Sequence, residues 1–106
     1  MPKYLIQASY TAEGTRGLLK EGGTGRRRAV DEVVSGLGGT VEAMYYAFGE
    51  DDLAMIVDFP DATSMAAVSL MVKASGALRS RATPLLTLDE IDAATRMQVA
   101  FRPPKA

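Results

Sequence analysis

The chain contains no cysteine, no histidine and no tryptophan. Without cysteine there are no disulfides, no thiolate nucleophiles and no Cys-ligated metals. Without histidine the usual general base, the commonest metal ligand and the side chain that titrates near neutral pH are all missing. Neither sign of charge dominates. Twelve basic and 13 acidic residues leave a net charge of −1, which gives no electrostatic pull toward nucleic acid or an anionic membrane. No run approaches the ~18 apolar residues that span a bilayer. The first residues, MPKYLIQASY, turn polar too soon for a signal peptide, so a cytoplasmic location is the default expectation. Any catalysis would fall to Asp, Glu, Lys, Arg, Tyr, Ser or Thr, or to a bound cofactor. No P-loop or dinucleotide fingerprint is present, and no spacing of oxygen ligands proposes a metal site.

What is present suits one folded domain over residues 1–106. The composition is 47% hydrophobic and 24% charged, ordinary for a globular protein with its own core. Lys3 to Tyr10 alternates as a first strand. Thr11 is placed to cap a short helix running to Glu21, and Gly22-Gly23-Thr24-Gly25 breaks it. A stronger helix is expected from about Arg26 to Leu37, where Ala29, Val30, Val33, Val34 and Leu37 form an apolar stripe that Gly38-Gly39 ends. Ala62 to Gly76 reads as an apolar helix. Ala77 to Thr87 reads as a strand that Pro84 either confines to an edge or interrupts. Thr87-Leu88-Asp89-Glu90 starts a last helix reaching about Met97. FRPPKA reads as an extended, partly disordered end.

The stretch Thr40 to Asp61 is the most informative. Two alternating runs flank Gly49-Glu50-Asp51-Asp52 and read as a β-hairpin. Strict alternation puts Val41, Ala43, Tyr45, Ala47, Leu53, Met55, Val57 and Phe59 on one apolar face, suited to helices. It puts Glu42, Met44, Tyr46, Phe48, Asp52, Ala54, Ile56 and Asp58 on a mixed face. The element order is then that of an α+β, ferredoxin-like βαββαβ domain, an antiparallel sheet with helices on one face, plus an extra C-terminal helix. Such a sheet leaves one face bare. Here that face would carry Leu5, Gln7 and Ser9 beside Met44, Tyr46, Phe48 and Ile56, an apolar patch that two copies packed face to face would bury.

The ordered segments MPKYLIQASYTAEGTRGLLKEGG, GRRRAVDEVVSGLGGTVEAMYYAFGEDDLAMIVDFPD and TPLLTLDEID, with RPP near the end, resemble the GYD-domain family over almost the whole chain. The resemblance implies a dimeric α/β-barrel and carries no firmly assigned activity. The family's Gly-x-Tyr-Asp turn falls on Gly49-Glu50-Asp51-Asp52, so Asp51 stands where the family has a tyrosine.

Three constellations are candidates for function. The carboxylates Glu50, Asp51 and Asp52 read either as a solvated turn or as groups able to share a proton or a hard cation. Of the three, Asp52 opens the strand on the mixed face and can point into a pocket. Gly25, Arg26 and Arg27 follow a glycine-rich turn at a helix start, an arrangement that can hold an anion, although three arginines there oppose the helix dipole. Tyr46, Asp52, Gln7, Asp58, Lys3, Arg79 and Arg81 form a polar set on the presumed inner face. They read either as anchors for a small organic ligand or as partners across a subunit interface. The methionines read as core filler. The functional expectation is a small-molecule-binding homodimer or larger even oligomer. Its pocket would lie between sheet and subunit interface, and cofactor-independent enzyme chemistry is a possible extension. The alternative is a structural or regulatory oligomerisation module.

Overall fold

In the computed structural model, which describes residues 1–105, the strands and helices follow the expected order. β1 (Lys3–Tyr10), α1 (Ala12–Gly36), β2 (Thr40–Tyr46), β3 (Leu53–Asp58), α2 (Ala62–Ser75), β4 (Leu78–Leu85) and α3 (Leu88–Thr95) succeed one another. The strands form one antiparallel sheet in the order β2-β3-β1-β4, the ferredoxin-like arrangement. Pro84 indeed lies on an edge strand, where its missing N–H removes no ladder bond on the outer side.

The core occupies one side of the sheet. Tyr4 and Ile6 of β1, Val41 of β2 and Val57 of β3 meet Val34 of α1 and Met65 of α2, with Phe59 fully buried among them. Burying each large side chain stabilises the fold by roughly 1.5–3 kcal/mol. The opposite face carries no helix. Among the described residues no helix is long and apolar enough to cross a membrane.

α1 consists of two helical segments joined at a kink, as the glycine stretch predicts. The Thr11 hydroxyl accepts from the Gly14 amide and caps its start, while the same hydroxyl donates to the Gly76 carbonyl and ties α1 to the end of α2. Gly14 faces the following turn so closely that a β-carbon there would strike the Ala77 carbonyl and the Tyr10 ring. The break is a single residue, Gly22, at φ 76° and ψ 166°, so the second segment begins before Arg26. Gly38, at φ 79°, and Gly39 close it as expected, with both amides returning to helix carbonyls.

A second difference changes which residues face where. β2 pairs Val41 with Val57 but Ala43 with Ile56, so Glu42 is an extra residue in a β-bulge. Beyond the bulge every side chain changes sides. Met44 packs against the core and Tyr46 turns beneath α1, while Ala43 and Tyr45 take the open face, where Tyr45 is 73% exposed. Phe48 lies in the hairpin connection, fully exposed. The expected placement of Met44, Tyr46 and Phe48 on the bare face, and of Ala43 and Tyr45 against helices, is therefore corrected.

Candidate functional site

The open face brings together Lys3, Leu5, Gln7 and Ser9 of β1 with Ala54, Ile56 and Asp58 of β3 and Arg79, Arg81 and Thr83 of β4. Its charges group at two ends. At one, Lys3 Nζ donates to Glu42 Oε2 at 2.7 Å and contacts Asp58 Oδ1 at 3.0 Å. Those bonds, the one to Glu42 foremost, raise the lysine's pKa. At the other, Arg81 Nη2 donates to Asp51 Oδ2 at 2.7 Å and Ser9 Oγ to Asp51 Oδ1 at 3.3 Å. Asp51 is thus drawn onto the sheet and does not lie at a solvated tip. Arg79, opposite Ser9, makes no ion pair among the described residues. Gln7, Asp58, Arg79 and Arg81 therefore do share one face, although Asp58 and Arg81 stand in separate ion-paired groups.

Asp52 has a different task. Its Oδ2 accepts from the Tyr10 amide at 2.9 Å, and its own amide donates to the Ala8 carbonyl at 2.9 Å. Its carboxylate continues the β1–β3 ladder beyond Leu53, the first residue of β3. The three hairpin carboxylates consequently separate: Asp51 turns to Arg81 and Asp52 to the Tyr10 backbone.

Tyr46 belongs to the helix side. Its hydroxyl lies 3.1 Å from that of Tyr10, and the two rings stack at 6.2 Å with 17° between their planes. Burial, then the hydrogen bond shared with Tyr46, pushes the Tyr10 pKa well above the usual phenol range, so Tyr10 is neutral at physiological pH. Two hydroxyls sharing one hydrogen bond leave one proton free for a further acceptor.

Beside this pair lies a cleft of about 630 Å³ between α1 and α2. Tyr10 and Leu78 of the sheet line it, with Leu18 and Val33 of α1 and Val68 and Met71 of α2 as hydrocarbon walls. Polar groups are few. Arg26 Nη1 and Glu21 Oε1, 3.3 Å apart across the Gly22 kink, stand together with Glu13 on the lining. The glycine-arginine stretch, read as an anion site, is arranged otherwise. Gly25 lies inside the helix, Arg26 pairs with Glu21, and Arg27 Nε holds both oxygens of Asp31 at 3.2 Å. Arg27 and Tyr46 instead edge a smaller hollow of about 330 Å³.

Residue-by-residue reading missed Tyr10. Its signal was parity: it follows Tyr4, Ile6 and Ala8 at period two, so its phenol ends an otherwise apolar face. The cleft itself had no sequence signal beyond the glycines of α1.

A family model described as GYD domain matches residues 4–95. No curated protein and no solved structure matches the chain.

Proposed function

The chain belongs to the GYD domain family, and from that premise we propose that it is a homo-oligomer that binds a small molecule. Assembly and binding are divided between the two faces of one sheet: the open face joins copies, and the cleft between α1 and α2 receives the ligand.

The cleft carries this reading. Its volume of about 630 Å³ sits within the roughly 300–1,000 Å³ of ligand pockets, which combine apolar walls with a few convergent polar groups. Helices packed for stability alone close to near-crystalline density. Here the space beside Leu18 and Val68 stays open. Either hydroxyl of the Tyr10–Tyr46 pair can donate to the other. Where Tyr46 donates, Tyr10 keeps its own proton for a carbonyl or carboxylate oxygen in the cleft, and burial keeps Tyr10 from ionising to a phenolate base. An enzymatic form of this site would be cofactor-independent, with the Tyr10–Tyr46 pair as its proton-carrying group.

Surface area supports assembly. The accessible surface is 7703 Å², against about 5,700 Å² expected for a folded monomer of this mass. The excess of about 2,000 Å² is what a substantial subunit interface would hide. The second reading, a structural or regulatory oligomerisation module, draws on the open face, where Lys3, Asp58, Arg81 and Asp51 are already paired with each other or their neighbours.

Native mass spectrometry of gently purified protein, compared with Gly17→Leu, tests the proposal. Gly17 lines the cleft, and a β-carbon there meets no atom within 4 Å, so leucine fills the space without a clash at the backbone. The expected result is an even oligomer carrying extra mass that leaves on denaturation, with the mass lost and the subunit number kept in Gly17→Leu. An even oligomer that is ligand-free in both proteins would turn the assignment to the structural module.

A further inference from the structure

The segment Thr87–Lys105 forms an arm that its own fold leaves unsupported. α3 is well started: the Thr87 hydroxyl accepts from the Glu90 amide, and the Glu90 carboxylate accepts from the Thr87 amide. Yet no residue of α3 is buried, and the arm contributes nothing to the core. Leu88, Ile91, Met97, Val99 and Phe101 all stand in solvent, Leu88 at 84% and Phe101 at 74% exposure. An isolated helix shorter than ~12–15 residues is marginal in water, and α3 has 8. It needs a surface to lie on. The arm also stretches the molecule: its radius of gyration is 17.0 Å where a compact chain of this length has about 13 Å.

We infer that the arm docks in trans, across the open sheet face of a second copy of this chain. The inference rests on the open-face assembly proposed above and specifies what the partner copy adds to it. Charge distribution selects the occupant. The arm is bipolar, with Asp89, Glu90 and Asp92 in α3 followed by Arg96, Arg102 and Lys105 in the tail. The open face is bipolar as well, with Arg79 beside the Arg81–Asp51 ion pair toward one end and the Glu42 and Asp58 carboxylates around Lys3 at the other. Glu90 is engaged in its own cap, which leaves Asp89 and Asp92 free to meet the unpaired Arg79.

Strand direction makes the match reciprocal. β4 delivers the arm at Leu85, opposite Lys3, whereas Arg79 lies six residues back, opposite Ser9. A twofold axis lying between the two faces and across the strands sets the Leu85 end of each sheet over the Arg79 end of the other. Acidic α3 then reaches the partner's arginine end, and the basic tail runs back toward the partner's carboxylates. The apolar side chains of the arm meet the strip of Leu5, Ile56 and Tyr45. Such a contact is self-complementary, as a twofold interface requires.

Charge reversal in the full-length chain tests the inference, read as the dimer dissociation constant by sedimentation equilibrium, with circular dichroism confirming folding. Arg79→Glu, and separately Asp89→Arg with Asp92→Arg, are each expected to weaken the dimer about tenfold. All three substitutions together should restore it to within about threefold, since coupled charges compensate in a double-mutant cycle. Ile91→Asp with Phe101→Asp should dissociate it more strongly. A wild-type dimer indifferent to every arm variant overturns the arm's docking while leaving the open-face assembly standing. Weakening without rescue overturns the pairing with Arg79. A wild-type monomer overturns the open-face assembly and the docked arm together.

Discussion

The two faces of this sheet are made from the same strands, and they settle their polar groups in opposite ways. On the open face, the charges other than Arg79 are paired within the chain: Lys3 with Glu42 and Asp58, Arg81 with Asp51. What remains between them is an apolar strip around Leu5, Ile56 and Tyr45. On the helix face there is almost no charge against the sheet. The polar groups are two phenols that hydrogen-bond one another beside an unfilled cleft. A face whose charges are satisfied is prepared to lose its water against another surface, because desolvating a paired charge costs less than desolvating a lone one. A face with a hollow and a free donor is prepared for a ligand. The comparison teaches why the proposed ligand site is placed under the helices and the proposed subunit contact on the bare sheet.

The largest expected effect contrasts neighbours on opposite sides. Phe59 is fully buried on the helix side, so Phe59→Ala should cost about 3–5 kcal/mol of folding stability. That is a large part of the roughly 5–15 kcal/mol a domain has, and urea denaturation should show it at any protein concentration. Ile56→Ala, on the open face, should act instead through association and show a loss that shrinks as the protein is diluted. A concentration-independent loss at Ile56 equal to that at Phe59 would mean that the open face is not a surface at all.

A smaller effect separates two adjacent tyrosines. In protein dilute enough to be monomeric, Tyr45→Ala should change folding stability by no more than about 0.5 kcal/mol, as exposed substitutions do, while Tyr46→Ala should cost about 2 kcal/mol through lost packing and the broken phenol pair. Strict alternation gives the reverse ranking, so thermal unfolding of the two variants reads the bulge directly. This is also where legibility from sequence ended. Alternation located β1 and the hairpin, and Thr11, Gly38, Gly76 and Thr87 marked helix ends by their capping chemistry. Those signals are local, and local chemistry determines them. The bulge is set by how β2 must register with β3, and Glu42 differs from no ordinary strand residue. One extra residue exchanged Tyr45 with Tyr46 and moved the polar candidates apart. The backbone bond of Asp52 was hidden for a related reason: its side chain answers an amide on β1 that is 42 residues away in sequence, a need visible only once the strands are paired.

The finest test of the two-face comparison is a titration. With four tyrosines and no tryptophan, phenol ionisation can be followed in the ultraviolet without interference. Tyr10 should lose its proton at a distinctly higher pH than free tyrosine, because burial disfavours the phenolate and Tyr46 holds the neutral hydroxyl. The sign for stability follows. Below the ordinary value of 10.0 both folded and unfolded chains keep the proton and Tyr10 adds no pH dependence. Above it the unfolded chain ionises while the folded chain does not, so stability falls as pH rises toward the folded value. Tyr46→Phe removes the hydrogen bond and leaves the burial. It should bring the Tyr10 titration part of the way back down and cost about 1 kcal/mol at neutral pH. Tyr45→Phe should move neither. If the two substitutions exchanged effects, the phenol beside Tyr10 would be Tyr45, and β2 would run without its bulge.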